Sequence, residues 1–286
     1  MSQFISKIEI DSWLEVLKSS LSNRSQISPF GDPLPDFPSE EVQRNTTSLA
    51  GSDALEQANA FYKDVSEALE RAVCPIMADW QILDFGSCWG RISRFFMRDV
   101  PLKNIHGIDV EETFVETCKV LFGSQNFTVC GKLPPCELEN SSINLITAYS
   151  VFSHLSEAAF LAWLSEFHRI LAKDGVVAFT TRNQVFFDYC NQLRSERDKL
   201  SGYQKALADM MPDIHDFRNR YGNGEFIFAT GSGVSGGGAM DESFYGEAFI
   251  PKPYIERALG NLFEIFEFKP VGDGYDQALF VLKKRI

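Results

Sequence analysis

The sequence predicts an α/β fold with an open, mostly parallel sheet, and three observations carry that expectation. The run Ile82-Leu83-Asp84-Phe85-Gly86-Ser87-Cys88-Trp89-Gly90-Arg91 reads as a short apolar strand ending in a carboxylate and a glycine-containing turn, and Ile92-Ser93-Arg94-Phe95-Phe96 continues it with helical spacing. From residue 80 onward, strand and helix patterns alternate at the pace of βαβ units. The chain then closes on a helix and two strands joined by Pro270-Val271-Gly272-Asp273-Gly274, the pattern of a terminal hairpin.

Composition bounds the rest. A chain of 286 residues, 44% hydrophobic and 23% charged, can bury one substantial core with appendages. Its formal charge of −12 opposes nucleic acid or an anionic membrane surface as the main partner, because the long-range field repels both. No apolar stretch has the length of a membrane span, and the start Met-Ser-Gln-Phe-Ile-Ser-Lys lacks the basic and apolar regions of a secretion signal, so a cytoplasmic location is expected. Cys74, Cys88, Cys118, Cys130, Cys136 and Cys190 form no C-x-x-C pair and read as reduced thiols. The four histidines fall in no metal-binding spacing, so no structural metal is expected.

The elements follow in order. Phe4, Ile8, Trp13, Leu14, Leu17 and Leu21 predict an amphipathic helix over 4–21, and four prolines in residues 28–38 predict an extended strap. Ser52 or Asp53 can cap a helix running to about Val73, with Leu55, Ala58, Phe61, Tyr62, Val65, Leu69 and Val73 on its buried face. The first strand is 81–85 with its helix at 90–98, and the second is 104–109 with its helix at 111–122. The third strand is 126–130 and the fourth 143–149. Ser156 opens the next helix and Gly175 closes it, before a fifth strand at 176–181. A helix near 253–261 and strands at 263–269 and 278–283 complete the pattern.

The turn after the first strand places backbone N–H groups and a helix N-terminus at the ligand crevice of an open α/β sheet. Its spacing, Gly86-x-x-x-Gly90 without a following lysine, is neither a dinucleotide fingerprint nor a P-loop. Asp84 would repel a pyrophosphate and attract a cation, so the ligand that fits is a nucleoside carrying an ammonium or sulfonium group. Asp109 lies 19 residues past Gly90, close to the spacing at which an acidic strand end binds ribose hydroxyls. The alternative is an ordinary aspartate capping the helix that follows.

This stretch resembles the first motif of the class I S-adenosylmethionine-dependent methyltransferases, roughly hydrophobic-Asp-x-Gly-x-Gly-x-Gly with Trp-Gly-Arg after the middle glycine. Ala148-Tyr149-Ser150-Val151-Phe152-Ser153-His154-Leu155 resembles the fourth motif of that superfamily. The resemblance implies a seven-stranded Rossmann-like sheet in the order 3-2-1-4-5-7-6, with S-adenosylmethionine as cofactor. It places Asp84, Gly86, Ser87, Cys88, Gly90, Asp109, Val110, Leu133, Tyr149 and Ser150 at the cofactor. N-terminal segments often cover the cofactor in that superfamily, so residues 1–78 are read as a covering region, with Arg44 a candidate for the methionine carboxylate. Residues 79–286 form the catalytic domain, in which 183–249 exceed the core and read as a substrate lid.

A small-molecule acceptor and O-methylation of a hydroxyl are the implied activity, with His154 the candidate base. Its structural alternative is a backbone hydrogen bond at the helix start. Cys88 departs from the pattern, standing where the family usually has its middle glycine, a position that becomes strained if it needs positive φ. No acidic residue lies between Val129 and Pro135 to meet an adenine amino group, which leaves backbone groups and apolar contact from Leu133, Val110 or Trp89. The rival readings are a non-catalytic binding protein that keeps the fold and a nicotinamide-dependent oxidoreductase. The acceptor atom and the oligomeric state are not legible in the sequence.

Overall fold

The computed structural model describes residues 8–234, 236 and 238–286. Phe4 of the first expected helix, and Ser235 and Gly237 of the segment expected to be a lid, lie outside the described residues. The main sheet has seven strands in the order β3-β2-β1-β4-β5-β9-β8, where β1 is Ile82–Phe85, β2 Ile105–Asp109, β3 Phe127–Val129, β4 Ile143–Ala148, β5 Leu171–Thr181, β8 Phe263–Lys269 and β9 Ala278–Lys284. This is the expected order, with the last strand in sequence lying antiparallel to β5 and β8. The chain separates into two compact units. One holds the chain up to Cys130 with Ser142–Thr147 and Asp273–Tyr275, and the other holds Gly131–Ser141, Ala148–Gly272 and Asp276–Ile286.

In the first unit, β1 pairs in parallel with β2 and β4, and β2 with β3. All four residues of β1 are buried, as expected of a central strand covered on both faces. Helix α1 (Ile10–Ser20) packs on α3 (Gly51–Ala72), and its buried Trp13 donates from Nε1 to the Phe95 carbonyl at 3.0 Å. The α3 face predicted from spacing is buried from Leu55 to Leu69, while Val73 lies just past the helix and is only partly buried. Its start differs from expectation: Ser52 and Asp53 fall inside the first turn, and the side chain of Gln43 supplies the missing acceptor by taking the Gly51 N–H at 2.9 Å. Gln43 belongs to α2 (Glu40–Thr47), a helix the apolar pattern does not reveal, capped by Ser39.

The proline strap is extended as predicted and is tied down by Arg94. This guanidinium is fully buried, bonds to the carbonyls of Pro35, Asp36 and Gly90, and lies 4.0 Å over the Phe37 ring and 5.1 Å from Trp89. Burial lowers it to about 9, because carbonyls and rings surround it in place of a contacting carboxylate. The helix after β1 is shorter than predicted, α4 (Ser93–Phe96) in place of 90–98. Gly86, Cys88 and Gly90 have φ of 73°, 49° and 75°, and three left-handed residues in five cannot belong to a right-handed helix. Helix α5 (Glu112–Phe122) ends on Gly123 in the left-handed conformation, and Phe122 packs so closely on Gly90 that a Cβ there would lie 2.2 Å from the ring.

In the second unit, α6 (Glu157–Ile170) runs directly into β5. Gly175 therefore lies inside the strand and does not end the helix; Leu171 already has extended dihedrals, and its carbonyl accepts from Lys284 Nζ at 2.6 Å. Strand β9 pairs with β5, Val177 opposite Leu282, and with β8 across a bulge at Ile265/Glu267. Helix α10 (Lys252–Leu259) precedes β8.

The segment expected to be a lid forms α7 (Gln184–Ser195), α8 (Gly202–Met210), α9 (Ile214–Gly222), β6 (Ile227–Ala229) and β7 (Glu247–Phe249). The charged stretch 188–211 is not one continuous helix: a 3-10 turn at Arg197–Lys199 and Gly202 at φ 55° interrupt it. These elements bury a small core of their own, in which Phe187 stacks on Phe249 at 4.2 Å among Cys190, Leu207, Met211 and Ile227. The return strand β7 pairs antiparallel with β6, and the Phe244–Ala248 stretch is laced to the post-β4 loop by Gly246 N–H to His154 O, Ala248 N–H to Ser153 O and Ser156 N–H to Phe244 O, each 2.7–2.8 Å.

Candidate functional site

The parallel pairing of β1 and β2 sets Asp84 opposite Gly107 and Phe85 opposite Ile108, so the two strand-end carboxylates, Asp84 and Asp109, lie on neighbouring strands. The turn is stitched to β2: Gly86 and Ser87 both donate N–H to the Ile108 carbonyl, at 2.8 and 3.2 Å, and Cys88 donates to Asp109 Oδ2 at 2.9 Å. Gly90 donates to Ser87 O at 2.7 Å, and the Trp89 amide faces the Cys88 sulfur. Asp84, Gly86, Ser87, Cys88, Gly90, Asp109 and Val110 are thus brought together. The amides expected to face a ligand are instead used inside the loop.

Asp84 is 3% exposed and accepts from Ser93 twice, from N–H at 3.0 Å and from Oγ at 2.6 Å. Burial raises it to about 7; the Ser93 bonds oppose that rise, Asp109 adds to it, and Arg91 reduces it slightly. Asp109 is raised too, again mainly by burial. Backbone donors of Cys88, Glu111 and Val110 hold Asp109 without using all of the roughly four acceptor sites of a carboxylate. The hydrogen-bond donors to this pair, among the described residues, are backbone amides and the Ser93 hydroxyl, with no ammonium or guanidinium in contact. Two buried carboxylates without a contacting cation, one keeping acceptor capacity, fit a ligand that combines a diol with positive charge.

Cys88 occupies the glycine position with φ 49°, at a cost of about 1–2 kcal/mol. Its thiol is pushed up to about 12 by burial and by Asp109, while Thr46 of α2 bonds it. Thr46, two residues beyond Arg44, is therefore the α2 side chain that reaches the turn. Arg44 itself is exposed and pairs with Glu40 one helical turn earlier at 3.0 Å. Trp89 Nε1 and Thr147 Oγ1 are buried polar atoms with no hydrogen-bond partner.

In the second unit the segment after β4 is held by a polar network. Ser150 has φ 59°, its N–H donates to Thr180 Oγ1 at 2.8 Å, and Gln277 donates to Ser150 Oγ at 2.8 Å while accepting from Thr180 at 2.7 Å. Tyr149 is buried, whereas Leu133 is half exposed. His154 lies with Nδ1 2.8 Å from the Gly246 carbonyl and 3.4 Å from Glu247 Oε1, its ring stacked on Tyr245 at 4.8 Å and 2°. Glu247 is fully buried and also accepts from Arg182 Nε and the Tyr203 hydroxyl, each at 2.5 Å. Burial raises its carboxyl, but Arg182 and then His154 outweigh that and hold it at about 2.

Glu247, Arg182 and Tyr203 are absent from the sequence expectations. A signal existed, since Glu247 is a lone charge in Gly246-Glu247-Ala248-Phe249-Ile250-Pro251, an apolar run between glycine and proline. A cleft of about 420 Å³ in this unit, lined by Asn183, Val185, Tyr221, Lys252, Phe268 and Val271, contains none of the expected site residues.

Residues 82–175 match a family model described as a methyltransferase domain. No curated protein matches the sequence. Among solved structures, a Listeria monocytogenes protein assigned to the S-adenosylmethionine-dependent methyltransferases aligns with a TM-score of 0.52 and 15% identity over 80% of this chain and 99% of its own. An S-adenosylmethionine-dependent methyltransferase from Anabaena variabilis aligns at 0.49 and 15% identity over 98% of this chain and 99% of its own. At these identities the likeness to solved structures is one of fold.

Proposed function

We propose that the chain is a class I S-adenosylmethionine-dependent methyltransferase that methylates a hydroxyl of a small-molecule acceptor, with His154 as the base; the match of residues 82–175 to a methyltransferase-domain model supports this reading. When bound, S-adenosylmethionine supplies an electrophilic methyl group on a cationic sulfur. In this reading Asp109 takes the ribose hydroxyls with its remaining acceptor sites, and Asp84 contributes negative potential from beneath the turn formed by Gly86, Ser87, Cys88 and Gly90. By the motif resemblance, Val110 and Leu133 are the candidates for apolar contact to adenine, and Tyr149 and Ser150 the candidates for the methionine portion. Arg44 meets the methionine carboxylate by leaving Glu40, an exposed i,i+4 pair that holds it by only about 0.5 kcal/mol.

The observation that carries the choice of a hydroxyl is the contact between His154 Nδ1 and the Gly246 carbonyl. A carbonyl can only accept, so Nδ1 bears the proton and the neutral ring keeps its lone pair on Nε2. Among the described residues nothing bonds Nε2. A base is useful to a hydroxyl acceptor, which must lose its proton as the oxygen attacks, and much less so to an unprotonated amine or a thiolate. The charge of −12 favours a small acceptor over nucleic acid, and no helix among the described residues is long and apolar enough to cross a membrane. The retained reading of residues 183–249 is a substrate lid, and that of the location is the cytoplasm.

The test is transfer of a labelled methyl group from S-adenosylmethionine to a panel of small alcohols, phenols, sugars, amines and thiols. Label on hydroxyl compounds, lost in His154→Ala, is the expected result. Label confined to amines or thiols, or His154→Ala turning over hydroxyl compounds at the original rate, overturns it.

A further inference from the structure

We propose that Glu247 is a positioning residue for His154: anchored by Arg182 and Tyr203, its carboxylate joins the Gly246 carbonyl in fixing the proton on Nδ1 and steadies the imidazolium formed when Nε2 takes a proton. The inference rests on the reading of His154 as the base. In the step concerned, the acceptor O–H bond breaks, its proton moves to Nε2, and the electron pair stays on oxygen. The ring then carries protons on both nitrogens, and the positive charge faces a carboxylate that remains ionised.

The geometry supports this role more than a purely structural one. Both groups near Nδ1 are acceptors, the Gly246 carbonyl at 2.8 Å and Glu247 Oε1 at 3.4 Å. The backbone bonds between Ser153–Ser156 and Phe244–Ala248 hold the two segments together, so the dyad is placed by main chain and not by flexible side chains. Tyr245 stacks flat on the imidazole and limits its rotation. Arg182 needs only one carboxylate oxygen, Oε2, which leaves Oε1 for Tyr203 and His154. Tyr203 opens α8, so an element of the inserted segment contacts the carboxylate behind the base.

The charged and titratable groups facing the dyad are Arg182, Tyr203 and Tyr245, with Cys190 close to Glu247 and Asp276 close to Arg182. Burial, with Glu247 adding to it, pushes the Cys190 thiol up to about 12 and the Tyr203 hydroxyl well above its ordinary range, so both stay neutral where an imidazole titrates.

Long-range ¹H–¹⁵N correlation spectra of the full-length protein from pH 5 to 9 test the proposal without an acceptor. The chain has four histidines, and His154→Gln assigns the signal. Expected are the Nδ1–H tautomer for neutral His154, a titration midpoint about one to three units lower in Glu247→Gln, and partial recovery in Glu247→Asp. If Glu247 served only as the partner of Arg182, a folded Glu247→Gln protein would leave the midpoint unmoved, and that result overturns the proposal. An Nε2–H tautomer in the wild type overturns it as well, which keeps the test decisive should Glu247→Gln fail to fold. S-adenosylhomocysteine titrated into the same samples separates the two readings. A normal His154 response without ligand binding removes the methyl-donor reading alone, and binding with an unmoved midpoint removes Glu247 alone.

Discussion

Asp84 and Glu247 are both carboxylates withdrawn from water, 3% and 0% exposed, yet they titrate in opposite directions. Among the described residues Asp84 accepts hydrogen bonds from the N–H and hydroxyl of Ser93, and burial raises it to about 7. Glu247 meets a guanidinium, a hydroxyl and an imidazole and is held at about 2. Burial alone pushes both upward, so the difference is made by whether the fold brings a cation to the carboxylate. The Glu247 cluster is balanced from within. The Asp84–Asp109 pair is not, and a cationic ligand is what would balance it.

Replacing one member of the balanced cluster has the largest expected effect. Glu247→Gln leaves Arg182 buried without an anion and should lower stability by about 3–5 kcal/mol in denaturant titration, whereas the double variant Arg182→Met/Glu247→Leu should recover most of the loss. A loss below about 1 kcal/mol in the single variant would place Glu247 among ordinary surface ion pairs and end the contrast.

The next effect has the opposite sign and depends on pH. The folded state holds the Asp84 proton up to about pH 7, while the unfolded chain releases it near its ordinary value, so stability falls between those limits and is flat above them. Asp84→Asn keeps an acceptor for Ser93 and removes the buried charge. It should therefore be more stable than wild type at pH 8 by about 2–4 kcal/mol, with most of the gain gone near pH 4. Glu247 runs the other way, its contribution present above the ordinary glutamate range and lost as pH falls through about 2. Thermal denaturation at pH 4, 6 and 8 distinguishes the two, and a pH-independent Asp84→Asn effect would contradict the assignment.

Ser93→Ala gives the smallest change, about 1–2 kcal/mol lost above pH 7 and less below pH 5, because the hydroxyl bond is worth most to the ionised carboxylate. Equal losses at both pH values would show that the hydroxyl does not respond to the charge on Asp84.

The same contrast explains what could be read from the sequence. Asp84, Gly86, Gly90 and Asp109 were legible because local patterns fix them: a strand end, a turn with positive φ, and a second strand end a βα unit later. Cys88 was recognisable as a departure from the family's glycine, and its φ of 49° shows that the position is left-handed. The order of the seven strands came with the family resemblance, since no spacing in the chain states it. Glu247 could not be tied to His154, because their contact is made by backbone pairing between segments over 90 residues apart. Helix α2 was missed because its interior is polar, with only Gln43 buried, and apolar periodicity has nothing to report there. Gly175 was misplaced because a glycine after Lys173-Asp174 looks like a helix stop, although the chain is already extended at Leu171 and pairs with β9 from Val176 onward.

The central claim is that the unbalanced carboxylates of the first unit receive a cationic nucleoside, and titration calorimetry with S-adenosylmethionine tests it on wild type and Asp109→Ala. Binding to the wild type and at least a tenfold loss in a folded Asp109→Ala protein, about 1.4 kcal/mol or more, is the result expected. No binding heat with folded wild type, or equal affinity in the two proteins, would contradict it.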